Sequence, residues 1–254
     1  MKNYNVYCLD LDGTVYHGTE PIPEAVSFIS DLQSQGIEPY YITNNSTATP
    51  EQVIEKLASF GIKTYVDKIM SSALVSAKYC KEHYDGATVQ IMGEKGLHDA
   101  LVSEGFTFVT ENPDIVVVGL DREVSYSKFT EIALAIRSGA KFIATNGDKA
   151  IPTERGLLPG AGSLVKLLEF TTGVKPVILG KPESHMLAFI KSENGYSKEE
   201  MVMVGDNYDT DILSGIRYGI DTIYVEGGVT SKEEILSQAE KPTHLLRTLA
   251  DWQL

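Results

Sequence analysis

The chain has 254 residues, 43% hydrophobic and 22% charged, the composition of an ordinary globular protein rather than a disordered, fibrous or disulfide-dense one. Its 22 Lys and Arg face 35 Asp and Glu, and the formal net charge of −13 argues against a nucleic acid partner. The length allows one large α/β domain or two of roughly 100 to 150 residues each, and neither needs a disulfide or metal staple to fold.

The N-terminus, Met1-Lys2-Asn3-Tyr4-Asn5, leads into a short apolar run ended by Asp10, without the length or cleavage site of a signal peptide. Apolar runs such as Ile132 to Ile136 and Met186 to Ile190 fall far short of the roughly 20 residues that cross a bilayer, so no membrane association is expected. Strands are read at Asn5–Leu9, Glu38–Thr43, Thr88–Met92, Ile115–Gly119, Lys141–Thr145, Val177–Leu179, Met201–Gly205 and Thr222–Val225, alternating with helical patterns. This is the signature of an α/β fold, a parallel sheet covered by helices. After Thr43, Thr49-Pro50-Glu51-Gln52 supplies a capping box with Pro at the first helical position; Val53, Ile54, Leu57 and Phe60 form the apolar stripe, and Gly61 ends the helix. Cys8 falls in a strand pattern and Cys80 on a helical stripe with Ala73 and Ala77; two packed, reduced thiols point to the cytoplasm.

Ligands of open α/β sheets bind beyond the carboxyl ends of strands. Four such ends carry polar clusters: Asp10-Leu11-Asp12-Gly13-Thr14, Thr43-Asn44-Asn45-Ser46, Gly180-Lys181-Pro182, and Gly205-Asp206 running on to Asp211. Two lie before residue 50 and two after residue 179, and the stretch between has strands and helices of its own, which implies an inserted second domain.

Strand alternation aims Asp10 and Asp12 to one face, and Gly13 lets the chain turn. Asp-x-Asp-Gly also suits a plain strand-ending turn or the start of a calcium loop, but the twelfth loop position, where a bidentate Glu belongs, is Pro21. In the last cluster Asp209 or Asp211 suits a helix cap, yet capping leaves Asp206 unexplained. Carboxylates converging at one sheet edge repel unless a cation lies between them, and hard oxygen ligands suit Mg²⁺. Thr43 and Asn44 enter a loop whose hydroxyl and N–H groups favour an anion, although taken alone they suit an Asx or Ser/Thr turn better. Lys181 alone reads as a surface lysine. Together these groups form a site for a phosphate dianion with Asp10 as nucleophile. His17, His83, His98, His185 and His244 show no metal-ligand spacing.

Through Asp10-Leu11-Asp12-Gly13-Thr14, Thr43, Lys181 and Gly205-Asp206 with Asp211, in that order, the sequence resembles the haloacid dehalogenase superfamily. Tyr40 to Ser46 and Val118-Gly119-Leu120-Asp121 are similar to its NagD-like, p-nitrophenyl phosphatase branch, in which a type II cap is inserted. The resemblance implies a Rossmann-like parallel-sheet core over 1–78 and 177–254, with an α/β cap over 79–176. It implies catalysis by Asp10, Asp12, Thr43 and Lys181: Asp10 attacks phosphorus, and Asp12 alternates as acid and base. Mg²⁺ would be held by Asp10, the backbone carbonyl of Asp12, Asp206 and Asp211. The phosphate would be held by Gly13, Thr43, Asn44, Asn45 and Lys181. The loop Asn146–Arg155 resembles the family's substrate-specificity loop, with Asn146 and Asp148 as its candidates. The expected protein is a cytoplasmic, Mg²⁺-dependent phosphatase of small phosphorylated metabolites, sugar phosphates, nucleotides or aryl phosphates, and a monomer or homodimer. A phosphotransferase or mutase, and a phospho-acceptor signalling module, are the competing readings.

Overall fold

The computed structural model describes residues 4–153 and 155–254; Met1 to Asn3 of the N-terminal segment and Glu154 of the candidate specificity loop lie outside them. In order come β1 (Val6–Asp10), a hairpin of β2 (Tyr16–His17) and β3 (Glu20–Pro21), α1 (Pro23–Ser34), β4 (Tyr40–Thr43), α2 (Pro50–Ser59), β5 (Ile69–Ser71), α3 (Ser72–Tyr84) and β6 (Thr88–Met92). Next are α4 (Lys95–Ser103), β7 (Thr107–Phe108), β8 (Ile115–Val118), α5 (Tyr126–Arg137), β9 (Lys141–Ala144), a hairpin of β10 (Ala150–Thr153) and β11 (Gly156–Pro159), and α6 (Ala161–Thr172). The chain ends with β12 (Val177–Ile178), α7 (His185–Asn194), β13 (Met201–Gly205), α8 (Leu213–Tyr218), β14 (Asp221–Val225), α9 (Lys232–Ser237) and β15 (His244–Leu246).

Local chemistry accounts for several of these boundaries. Both α1 and α2 start on a proline, whose fixed φ suits the first helical turn and whose missing N–H is not needed there. Helix α2 buries Val53 and Leu57, and the chain leaves it through Gly61 at φ +83°, a left-handed conformation that favours glycine. Ser71 caps α3, its hydroxyl accepting from the Leu74 N–H at 3.2 Å. Cys8 and Cys80 are buried, unpaired thiols.

Contacts divide the chain into two compact units. The first takes the chain up to Thr43, Glu51–Met70 and Lys181–Leu254; the second takes Asn44–Pro50 and Ser71–Gly180. The boundary expected after residue 78 falls inside α3. Val177, expected to open the returning core segment, stands opposite Ile143 of β9 in the second unit's sheet. A two-residue apolar strand gives no sign in the sequence of which sheet it joins.

The first unit is built on a six-stranded sheet in the order β15-β14-β13-β1-β4-β5. Every residue of β1 and β13 is buried, as in a parallel sheet covered on both faces. Leu9 stands opposite Val204, and Asp10 opposite Ile42. From β1 the strands proceed to β4 and β5 on one side and to β13, β14 and β15 on the other. The order therefore reverses beside β1, a topological switch point. The second unit has a parallel five-stranded sheet, β12-β9-β8-β6-β7. Ile132 and Ile136 of α5 and Val165 and Leu168 of α6 pack with Val116, Val118 and Phe142 of that sheet, each fully buried aliphatic side chain contributing roughly 1.5–3 kcal/mol. Among the described residues no helix is long and apolar enough to cross a membrane.

Candidate active site

Strand β1 delivers Asp10 to the carboxyl edge of the first sheet, and the chain turns at once. The Gly13 N–H donates to the Tyr16 carbonyl at 2.8 Å, with Gly13 at φ +94°. A Cβ on Gly13 would lie 2.6 Å from the Asp206 carboxylate, so backbone and acid pack directly together. Asp206, which follows β13, accepts from the Thr14 hydroxyl at 3.0 Å and from the Val229 N–H at 2.7 Å. Gly228 permits this contact, since a Cβ there would stand 1.9 Å from Asp206 Oδ2.

Asp211 sits in a π-helical turn, Tyr208–Ile212, that leads into α8. Neither Asp209 nor Asp211 caps this turn, so the alternative of a capping acid does not hold. Asn207 does so, accepting from the Asp209 N–H at 3.0 Å. An amide already stands at the cap, and Asp211 instead turns inward, accepting from the Asn207 N–H at 3.1 Å and from Lys181 Nζ at 2.7 Å. Lys181 also pairs with Asp10 and donates to the Ile42 carbonyl at 3.3 Å.

Asp10, Lys181, Asp206 and Asp211 are all buried, and oxygens of the three acids lie within 4.8 Å of one another. Burial and the Asp211 charge push the Asp10 carboxyl well above the ordinary carboxylate range, against the pull of Lys181. Burial and Asp211 likewise raise Asp206 to about 6, opposed by its Val229 and Thr14 hydrogen bonds. For Lys181, burial pushes downward, but Asp10 and Asp211 outweigh it and hold the ammonium charged. When the acids are all ionised, one ammonium faces three carboxylates. Such a hard-oxygen donor set with uncompensated negative charge fits a divalent cation.

Thr43 is buried at the end of β4, one residue beyond the partner of Asp10. The Asp12 side chain reaches solvent rather than joining the three acids; even so, the protein crowded around its carboxyl pushes it upward, and Lys56 pulls it down. Lys56 lies 3.6 Å above the Tyr16 ring.

The remaining candidates belong to the second unit. Asn44 Nδ2 donates to both carboxylate oxygens of Asp148 at 3.1 Å each, and Asn146 Nδ2 donates to the Asn44 carbonyl at 2.8 Å. Asn45 forms an Asx turn, its Oδ1 accepting from the Thr47 N–H at 2.9 Å. Thus Asp10, Lys181, Asp206 and Asp211 meet within one unit, and Asn44, Asn146 and Asp148 meet within the other. Sequence reasoning missed the roles of Thr14, Asn207, Gly228 and Val229. Thr14 stood inside the first polar cluster and offered a hydroxyl; Val229 contributes only a backbone donor, which no side chain announces.

A parallel sheet whose switch point gathers a strand-end Asp, a buried Lys and a second acidic cluster defines the haloacid dehalogenase-like class. The family model described as haloacid dehalogenase-like hydrolase matches residues 7–107, and a further HAD-hydrolase-like model matches residues 178–252. The chain is 47% identical over 252 residues to the 5'-nucleotidase YutF of Bacillus subtilis, covering 99% of this chain and 98% of that protein. It is 46% identical to an acid sugar phosphatase of Staphylococcus saprophyticus, covering 98% and 96% of the two chains. Among solved structures, a double mutant of the thermostable NPPase from Geobacillus stearothermophilus superposes with a TM-score of 0.94 at 45% identity, covering 100% of this chain and 99% of that one. A p-nitrophenyl phosphatase from Archaeoglobus fulgidus gives 0.93 at 30% identity, with 98% of each chain covered. The chain belongs to the haloacid dehalogenase-like hydrolases. Within them it is a phosphatase of the NagD-like, p-nitrophenyl phosphatase branch.

Proposed function

We propose that the chain is a cytoplasmic, Mg²⁺-dependent phosphatase that hydrolyses small phosphomonoesters, such as sugar phosphates, nucleotides or aryl phosphates, through an aspartyl phosphate on Asp10. The observation that carries this reading is the buried set of Asp10, Asp206 and Asp211 around Lys181 at the switch point. The names of the relatives, a nucleotidase, a sugar phosphatase and aryl phosphatases, support the substrate class. The two unpaired buried thiols support the compartment.

Asp10 attacks phosphorus in line, a P–O bond forming to its carboxylate as the bond to the leaving oxygen breaks. Asp12 supplies the proton that the leaving oxygen needs; its raised carboxyl, open to solvent, suits a general acid. In the second half, Asp12 as base takes a proton from water, which attacks the same phosphorus and returns Asp10 as carboxylate. Thr43, N–H groups near Gly13, those of Asn44 and Asn45, and the Lys181 ammonium would hold the phosphoryl oxygens. Asp10, Asp206, Asp211 and the Asp12 carbonyl would hold Mg²⁺, whose charge, when it is bound, offsets repulsion between the nucleophile and the phosphate dianion.

Phosphate release from p-nitrophenyl phosphate, with and without Mg²⁺, in wild type and Asp10→Asn, tests the reading. Release that requires Mg²⁺ and vanishes in Asp10→Asn is expected. Equal release without divalent cation, or turnover persisting in a pure, folded variant, would contradict it.

A further inference from the structure

The segment after β9 was expected to meet substrate through Asn146 and Asp148, yet these side chains are engaged with the backbone and side chain of one residue, Asn44. The Asn44 carbonyl accepts from Ser72 Oγ at 2.6 Å and from Asn146 Nδ2 at 2.8 Å. The Asn44 side-chain amide is held by both oxygens of Asp148 at 3.1 Å. Asn146 and Ser72 are buried, at 3% and 0% exposure, while Asn44 and Asp148 are half-buried. Asn44 is therefore pinned on its main chain and on its side chain.

The clip is itself rigidly seated. Asn146 Oδ1 accepts from the Asp148 N–H at 3.1 Å, closing a turn. The Asp148 carbonyl accepts from the Gly162 N–H at 2.9 Å, at the start of α6. A Cβ on Gly160 would stand 2.2 Å from the Asp148 carbonyl, and one on Gly162 2.2 Å from the Gly147 carbonyl, so the loop and the helix start meet backbone to backbone. Gly180 packs into the same place: its N–H donates to the Thr145 carbonyl at 2.7 Å, and a Cβ there would lie 2.7 Å from Asn44 Oδ1.

The covalent neighbours of the clipped residues give the clip its meaning. Asn44 shares a peptide group with Thr43, and Gly180 shares one with Lys181, and these are points where the chain passes from one compact unit to the other. The Asn44 carbonyl lies in the following peptide, but with that carbonyl and the side chain both held, the Asn44 Cα and the nitrogen bonded to it are placed, and the planar Thr43–Asn44 peptide at the end of β4 is left only its rotation about N–Cα.

From this we infer that Asp148, Asn146 and Ser72 are positioning residues, acting through Asn44 to place its end of the Thr43–Asn44 peptide, rather than groups that select the leaving group. The inference rests on the phosphatase reading, in which Thr43 and the Asn44 N–H hold phosphoryl oxygens. Catalytic groups displaced by about 1 Å lose up to about a hundredfold in rate, and the loss strikes every substrate because all share the phosphoryl group.

The test is Asp148→Asn, which places two amides face to face, alongside Asn44→Asp and the double exchange, in which donor and acceptor trade places. kcat and KM are measured for p-nitrophenyl phosphate, a sugar phosphate and a nucleoside monophosphate, with thermal unfolding in parallel. Each single variant is expected to lose about ten- to a hundredfold in kcat by the same factor on all three, with KM nearly constant and recovery in the double exchange. Unchanged kcat, a loss that differs from substrate to substrate, or a loss that follows unfolding and is not recovered would overturn the inference while leaving the phosphatase intact. A folded wild type with no Mg²⁺-dependent release would overturn the phosphatase reading and this inference with it.

Discussion

At the carboxyl ends of the first unit's strands stand Asp10, Thr43 and Asp206, whereas those of the second unit's strands carry Gly93, Gly119, Thr145 and Asn146. Both sets follow buried apolar strands of a parallel sheet. In the first unit, like charges converge in a dry place, and the Asp10 and Asp206 carboxyls are pushed up. In the second, amides and hydroxyls pair with backbone carbonyls, as Asn146 does with Asn44, and glycines let neighbouring chain approach: a Cβ on Gly119 would lie 2.7 Å from Ser46 Oγ. The difference separates stability from function. Groups that satisfy one another hold a fold together, whereas groups that repel one another persist because they do something else.

The largest effect that would break this comparison concerns Asp10. Asp10→Asn should lower turnover on the order of 10³-fold or more. Its thermal midpoint in the absence of divalent cation should equal or exceed that of the wild type, because one of three crowded carboxylates is gone and Lys181 keeps Asp211. A strongly destabilised Asp10→Asn would mean that the acidic group is structural. Next comes Gly228→Ala, whose methyl would press on the Asp206 carboxylate at 1.9 Å. It should cost about a hundredfold in kcat by moving Asp206 and the N–H that holds it, and steady-state kinetics read this directly.

These predictions rest on residues of unequal legibility. Asp10 and Asp206 could be read from the sequence because each ends or follows an apolar run with a charge that a strand interior does not carry, and Thr43, Lys181 and Asp211 only through their order beside those two. The Val229 contact could not, since its donor is main chain and its position depends on where the loop after β14 folds. Asn207 stands in place of an Asp cap because Asn and Asp are near-equal caps, and only the turn geometry decides between them. Strands β5, β7 and β15 have two or three residues each, too few for a period to show, and β12 joined the second sheet although its sequence suits either. Asn146 and Asp148 were legible as a polar loop, but their bonds to Asn44 bridge about a hundred positions of sequence, which no local pattern encodes.

In the second unit an effect on stability is expected beside the one on kcat. Asn146→Ala removes a buried donor from the Asn44 carbonyl and the acceptor of the Asp148 N–H, and should lower the unfolding free energy by about 2 kcal/mol in denaturant titration. A neutral result would show that the Ser72 hydroxyl alone satisfies the Asn44 carbonyl. The smallest effect lies at the opposite end of the same sheet. The Asp114 carboxylate accepts from the Thr88 N–H at 2.8 Å and hydroxyl at 2.7 Å, and these bonds lower its pKa. A depressed acid adds stability that is present above its unfolded value of about 4 and is lost as pH falls through the lower folded value. Wild type should therefore melt slightly above Asp114→Asn at pH 6, and the two should converge as the pH is taken well below about 4.

The central claim is that the crowded carboxylate of Asp10 itself takes the phosphoryl group. The most direct measurement is to quench the enzyme in acid during turnover of an aryl phosphate with Mg²⁺, reduce the acyl phosphates with borohydride, and locate the modified residue by peptide mass spectrometry. Conversion of Asp10 to homoserine, dependent on substrate and on no other aspartate, is the predicted result. An enzyme caught in full turnover with Asp10 unreduced, or with the label at Asp12, Asp206 or Asp211, would contradict it.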